Sequence, residues 1–269
     1  MHSTSQQSSH GTASEELLFL QKQHTLLLDD QRAGLQLQQQ IRPKTPWEAQ
    51  CIKFEHCVIP ALYLTGDSLD YFVLPDGRLF LYLADVSGHG TASALISMLV
   101  KNTVREFIFG AHATHSDTTL TPATVLAYLN QRLLTYDSGR HVTLICAIVD
   151  TVQNLLHWCV AGHLPSPVLF SDGRATFLRG KGQPVGLFEH ATYSDEQMVL
   201  PQAFSLTLFS DGILEVLPEK YLITREAALP KLISAAQGKY TQIVQRLGLD
   251  NCSNMPDDIA MLVLSRNLA

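Results

Sequence analysis

The chain has 269 residues, of which 46% are hydrophobic and 16% charged, and its formal net charge at pH 7 is −6. This composition excludes wholesale disorder, and five cysteines without a C-x-x-C pair favour a reducing cytoplasm over a disulfide framework or a structural zinc site. The acidic balance gives no electrostatic footprint for nucleic acid or an anionic membrane, and no apolar run approaches the roughly 20 residues that span a bilayer.

The first 44 residues differ in composition and hydrophobic pattern from the rest of the chain. Residues 1–14 are rich in Ser, Thr, Gln and His, so we expect a disordered lead. Ser14, followed by two glutamates, is a suitable N-cap for a helix of about 25 residues that ends before Pro43. Its heptad is only partial, with Leu17, Leu20, Leu27 and Ile41 interrupted by His24, Gln31, Gly34 and Gln38. We interpret residues 15–44 as a coiled-coil-like linker for a weak homodimer or for signalling, with a solvated tether as the alternative.

Residues 45–269 mix strand and helix patterns in an order that favours an α+β fold with packed antiparallel sheets. Apolar, often β-branched runs predict strands at 58–64, 79–86, 142–149, 155–160, 204–209 and 259–264. Apolar residues three and four apart predict helices at 92–108, after Thr121-Pro122, at 224–236 with a break at Pro230, and at 241–247. The pairs Asp76-Gly77 and Asp172-Gly173 are typical of hairpin turns.

Acidic residues lie at the ends of four predicted strands. Asp67, Asp85 and Asp211 follow apolar runs, and the pair Asp257 and Asp258 precedes the last one. At any single position a turn or cap is the ordinary explanation. Carboxylates that converge are costly to desolvate without a counter-charge, and these four motifs contain no Lys or Arg. Oxygen ligands alone favour Mg²⁺ or Mn²⁺ over Zn²⁺.

Five segments, in the order found here, resemble the motifs of one family. They are GDSLDYF at 66–72, DVSGHG at 85–90, AGH at 161–163, SDGI at 210–213 and DDI at 257–259. They look like the motifs of metal-dependent (PPM, type-2C) protein serine/threonine phosphatases, in the SpoIIE-like branch, across about residues 55–266. The helix that leads into QQQIRPKTP resembles the linker between a receiver and the phosphatase output domain of RssB-like response regulators.

The resemblance implies an α-β-β-α sandwich, with two antiparallel sheets flanked by helices and a centre for two Mn²⁺ or Mg²⁺ ions at one end. A domain of this type would occupy residues 45–269. Carried over motif by motif, the implied ligands are Asp67 for one ion, Asp85 as the bridge, the carbonyl of Val86, and Asp211 and Asp257 for the other ion, with Asp258 as a further candidate.

The implied reaction is attack on phosphorus by a water that the two ions activate. Asp85 and His89 are the catalytic candidates, with His89 as a proton donor to the leaving serine or threonine oxygen or, alternatively, a structural histidine of its turn. His163 is expected to be structural.

By resemblance, the substrate is a phosphorylated bacterial regulatory protein such as an anti-sigma-factor antagonist. An upstream receiver or sensor would control the activity through the N-terminal helix. Two rival functions stay open: a catalytically idle adaptor that binds a sigma factor or an anti-sigma regulatory partner, and a phosphatase for small phosphoesters. The intact acids argue against the adaptor.

Overall fold

The computed structural model describes residues 7–110, 120–251 and 255–268. The chain divides into two units, Met1–Ile41 and Arg42–Ala269. The second unit therefore begins three residues before the boundary that the sequence predicts.

The first unit contains helix α1, Gln7–Ile41. The helix begins eight residues before its predicted start, so the expectation of a disordered lead is wrong for residues 7–14, while residues 1–6 lie outside the described ranges. Its only early helix breaker is Gly11, and one interior glycine costs a helix about 1 kcal/mol relative to alanine. Leu17 and Leu27 of the partial heptad are more than half exposed. The dimer stays a prediction.

The second unit is built around two antiparallel sheets. The first sheet has the strand order β1-β2-β11-β10-β7-β8, formed by Trp47–Ala49, Ile52–Ile59, Ile259–Arg266, Phe204–Phe209, Val168–Ser171 and Arg174–Phe177. The second has the order β3-β4-β5-β6-β9, formed by Ser68–Val73, Leu79–Val86, Val142–Asp150, Leu155–Ala161 and Glu196–Val199.

In the described ranges, four helices flank the sheets: α2 (Thr91–Phe109), α3 (Pro122–Leu134), α4 (Leu222–Ala235) and α5 (Tyr240–Leu247). Short 3₁₀ helices lie before α4, at Asp211–Val216, and after α5, at Leu249–Asn251. Pro230 lies inside α4 and does not break it, contrary to expectation. No helix in the described ranges is both long and apolar enough to cross a membrane.

Three apolar clusters among the described residues hold these layers together. One lies between the sheets and includes Phe54 and Leu81. A second packs the outer face of the β3–β9 sheet against α2 and α3, and a third packs the outer face of the other sheet against α4 and α5. The predicted α+β sandwich of two antiparallel sheets between helices is therefore confirmed.

The strand predicted at 58–64 is largely wrong, because β2 covers Ile52–Ile59 and ends before Pro60. Proline has no N–H to donate to a ladder, so residues 60–67 leave the sheet as a loop. This loop carries the first acidic motif and leads directly into β3.

Candidate functional site

The register of the strands puts all four acidic motifs at the same end of the sandwich. In the first sheet, Ile259 at the start of β11 pairs with Ile59 at the end of β2, and Met261 pairs with the last residue of β10. In the second sheet, the start of β3 pairs with the end of β4 through Ser68 and Ala84. The acids therefore lie where β2, β4 and β10 end and where β3 and β11 begin.

The five carboxylates differ in depth. Asp67 and Asp258 are buried, with 5% and 8% of their surface exposed. Asp85 is half-buried, and Asp211 and Asp257 are exposed. The group therefore has a buried floor, formed by Asp67 and Asp258, and an exposed rim, formed by Asp211 and Asp257.

Ser210, at the end of β10, ties the floor of the group to the first sheet. Its hydroxyl donates to Oδ2 of Asp67 at 2.7 Å and accepts the N–H of Ala260 at 2.7 Å. Ser210 has no exposed surface. A single buried hydroxyl thus joins the ends of β10 and β11 to the carboxylate in the loop before β3.

The carboxylate of Asp258 accepts two backbone hydrogen bonds from the 60–67 loop. Its Oδ1 accepts the N–H of Ala61 at 2.8 Å, and its Oδ2 accepts the N–H of Gly66 at 3.0 Å. Both oxygens are therefore engaged in fixing the loop that presents Asp67. The neighbouring Asp257 is exposed, and its Oδ1 accepts the N–H of Asp258 at 2.8 Å.

Burial and neighbouring negative charge both raise the pKa of Asp67. Burial raises the pKa of its carboxyl most, and the charge of Asp85 raises it further, so that the pKa lies well above its usual range in spite of the hydrogen bond from Ser210. The charges of Asp258 and Asp211 act in the same direction.

The side chains of Asp85 and Asp211 interact with one another. Burial, followed by the charge of Asp211, raises the pKa of Asp85 to about 7, and a hydrogen bond between the two side chains favours the proton on Asp85. Burial and the charge of Asp257 raise the pKa of Asp211 as well. Carboxylates that are up to 191 residues apart in the chain, Asp67 and Asp258, therefore act on one another, as the sequence predicts for a convergent site.

The DVSGHG segment is held by a cation from another loop. Arg140 Nη1 donates to the carbonyl of Ser87 at 2.5 Å and to Oγ of Ser93 at 3.0 Å. Gly88 has φ of +80°, and a Cβ there would collide with the Arg140 guanidinium. The positive φ favours glycine at this position, and a larger residue would also displace the Arg140 guanidinium. The turn that follows Asp85 is thus packed against the Arg140 guanidinium.

The two histidines of the motifs occupy opposite environments. His89 is exposed in the turn before α2. His163 is 3% exposed, and its Nε2 and Nδ1 lie 2.8 Å from the carbonyl oxygen of Phe209 and 3.4 Å from Oγ1 of Thr143. This agrees with the structural role predicted for His163.

Sequence reasoning assigned no role to three residues that contact the acidic motifs or interact with their carboxylates: Ser210, Arg140 and Arg42. Burial lowers the pKa of the Arg42 guanidinium, while the charges of Asp67 and Asp258 raise it. Its Nη2 is buried and has no hydrogen-bond partner among the described residues. The four acidic motifs contain no Lys or Arg. In the folded chain, however, the positive charges of Arg42 and Arg140 lie close to these motifs.

The donor set fits hard divalent cations by chemistry. Among the residues that the structure describes, no group of three or more His, Cys, Asp and Glu side chains is arranged to hold a metal ion. The acidic group nevertheless offers oxygen atoms alone, and the mutual repulsion that raises the pKa of Asp85 is what a bound cation relieves. Mg²⁺ and Mn²⁺ are the ions suited to such ligands.

Residues 75–267 match the sequence profile of the family described as stage II sporulation protein E (SpoIIE). Among curated relatives, the chain is 27% identical over 218 residues to the phosphoserine phosphatase RsbU of Bacillus subtilis, across 78% of this chain and 62% of RsbU. The chain spans between 39% and 62% of the length of the curated relatives it matches.

Solved structures share the fold. The SiaA-PP2C domain of Pseudomonas aeruginosa superposes with a TM-score of 0.67 at 19% identity, covering 91% of this chain and 98% of that domain. RsbX, in a structure of its complex with magnesium, superposes with a TM-score of 0.60 at 15% identity, covering 82% of this chain and 98% of RsbX. At these identities the likeness shows the PP2C-type architecture alone.

Proposed function

Because this chain belongs to the stage II sporulation protein E (SpoIIE) family, we propose that it is a metal-dependent protein serine/threonine phosphatase. The observation that carries the proposal is the group of carboxylates from four strand ends whose charges act on one another at one end of the sandwich. The relative RsbU, named as a phosphoserine phosphatase, supports the choice of reaction.

Two Mn²⁺ or Mg²⁺ ions would be held by Asp67, Asp85, the carbonyl of Val86, Asp211 and Asp257. When bound, such ions lower the pKa of water and neutralise charge on phosphoryl oxygens. We assign Asp258 a positioning role instead, because both of its oxygens accept backbone N–H groups of the loop that carries Asp67.

The chain's own residues would orient the reacting groups. Ser210 holds the carboxylate of Asp67 by a hydrogen bond, and Asp258 holds the loop that carries Asp67. Arg140 holds the turn after Asp85 through the carbonyl of Ser87. His89 is exposed on that turn, where its ring would give a proton to the leaving serine or threonine oxygen. Phosphoryl transfer asks a protein mainly for positioning and charge stabilisation, which such a rigid set of residues can supply.

The substrate would be a phosphorylated regulatory protein, such as an anti-sigma-factor antagonist, in the bacterial cytoplasm. Helix α1 would connect the phosphatase to an upstream receiver or sensor, and its exposed leucines would support a homodimer. A catalytically idle adaptor is the rival function, and it makes the opposite prediction for turnover.

Hydrolysis of a phosphoserine peptide and of a generic phosphoester tests the proposal. We expect turnover with Mn²⁺, loss of turnover with chelator, and loss in Asp85→Asn. The matched control is Asp172→Asn, an exposed aspartate in the β7–β8 hairpin turn at the opposite end of β10. Activity that survives both chelation and Asp85→Asn would refute the metal mechanism, and no activity under any condition would favour the adaptor.

A further inference from the structure

A recess of about 260 Å³ opens beside the acidic group. His89 and Asp257 contribute to its polar side, whereas its apolar side is formed by Leu62, Leu64, Met255 and Pro256. The phosphatase chemistry proposed above uses the polar side and leaves the apolar side without a role.

The apolar wall is preformed and open. Leu62 is 68% exposed although it lies in a loop that is fixed at both ends, because Asp258 binds the N–H groups of Ala61 and Gly66. A single exposed leucine needs no explanation, but several apolar residues around one recess form a binding surface. The backbone hydrogen bonds mean that this surface needs little ordering when a ligand binds.

We propose that this recess binds an apolar side chain that flanks the phosphoserine of a protein substrate, an inference that rests on the proposed function. Asp257 and Asp258 belong both to the recess and to the acidic group. A peptide whose phosphoserine lies at the acidic group must therefore carry its neighbouring residues past the recess, since consecutive residues advance by only about 3.3–3.6 Å.

Desolvation selects against acidic flanking residues. The described residues that line the recess include no Lys or Arg that could pair with a carboxylate. A flanking Asp or Glu would lose hydration there without gaining a counter-charge, whereas an apolar side chain would bury surface against Leu62 and Met255. The occupant is thus an apolar residue close in sequence to the phosphoserine.

A peptide series tests the inference with the full chain and Mn²⁺. Each peptide has one phosphoserine in an alanine background, with a single leucine or aspartate moved through the neighbouring positions. At one position we expect leucine to lower KM about tenfold relative to alanine, and aspartate to raise it. In Leu62→Ala the preference for leucine should fall to within about twofold of unity, as expected when a contact partner is removed.

Val152→Ala is the matched control, because Val152 is 92% exposed in the β5–β6 turn and lies outside the recess. It should keep the full preference for leucine. Equal KM values for leucine and alanine at every position, or a preference that survives Leu62→Ala, would overturn the inference. If no peptide is hydrolysed, the proposed function fails, and the same comparison is made on Kd by fluorescence anisotropy, where the same two outcomes decide the inference.

Discussion

Both carboxylate oxygens of Asp258 accept backbone N–H groups of the 60–67 loop. We predict that Asp258→Ala lowers the free energy of unfolding by about 2–4 kcal/mol, because the N–H groups of Ala61 and Gly66 lose their acceptor. Urea denaturation measures this change. Asp172→Asn, an exposed turn residue, should change stability by less than about 0.5 kcal/mol. Equal stability of the Asp258→Ala and Asp172→Asn variants would contradict the anchoring role.

The second prediction for a single side chain concerns the hydrogen bonds of Arg140. Arg140→Met keeps an apolar stem but removes the donors to the Ser87 carbonyl and the Ser93 hydroxyl, so we expect a loss of about 1–3 kcal/mol in stability and a lower kcat. Arg140→Lys should recover only part of both, because an ammonium lacks the planar fork of a guanidinium. Thermal unfolding and steady-state kinetics give the two readouts. Full recovery by lysine would show that charge alone suffices.

At the scale of elements, helix α3 depends on its first turn. Thr121 accepts the N–H of Thr124, the Thr124 hydroxyl receives the Thr121 N–H, and Pro122 follows the cap. We predict that Thr121→Ala costs about 1 kcal/mol. For a unit of this size the melting temperature should then fall by about 2–4 °C.

Thr135→Ala is the control for the cap of α3. It also removes a hydroxyl from an end of α3, where Thr135 donates to the carbonyl of Arg132, but it is exposed and caps no N–H group. We expect little change in its melting temperature. A Thr121→Ala variant that melts together with Thr135→Ala would show that the capping box does not stabilise α3.

The elements also show which parts of the fold the sequence can predict. Local signals fix β4, β10, α2 and the start of α3, because hydrophobic runs, Gly110 and Thr121-Pro122 act within a few residues. The predicted strand runs do not include β1, β3, β7, β8 and β9, since short, edge or half-polar strands form through pairing with neighbours that are distant in the chain. The same limit explains why the end of β2 was placed wrongly.

The sequence likewise predicts some features of the candidate site and not others. Acidic residues beside apolar strands are visible in the sequence, and so is their family order. The contacts of Ser210, Arg140 and Asp258 are not visible, because they depend on where a hydroxyl, a guanidinium and a loop backbone meet in the folded chain. The roles assigned to individual ligands stay predictions.

At the scale of the whole molecule, buried histidine makes stability depend on pH. Burial lowers the pKa of His163 to about 4, against 6.5 for an ordinary histidine. Above pH 6.5 the ring is neutral in both states, and between pH 6.5 and 4 only the unfolded chain takes up the proton, so this residue lowers stability as the pH falls. The raised pKa of Asp85 acts in the opposite direction, so a variant must isolate the histidine.

Urea denaturation of His163→Asn between pH 4 and 6.5 isolates the contribution of this histidine to the pH dependence of stability. Relative to wild type, we expect its stability to depend less on pH by up to about 1.4 kcal/mol per pH unit. His190→Asn, which replaces an exposed histidine, should keep the wild-type dependence. The same pH dependence in His163→Asn and wild type would mean that His163 is not held neutral in the folded state.

The proposed phosphatase activity depends above all on carboxylates from distant strand ends acting together as one cation site. Isothermal titration calorimetry with Mn²⁺ tests this without requiring a substrate. We predict two ions bound by wild type and by Asp172→Asn, and loss of this binding in Asp85→Asn, whose side chain lies among the other acids. Absence of binding to wild type, or unchanged binding to Asp85→Asn, would contradict the account.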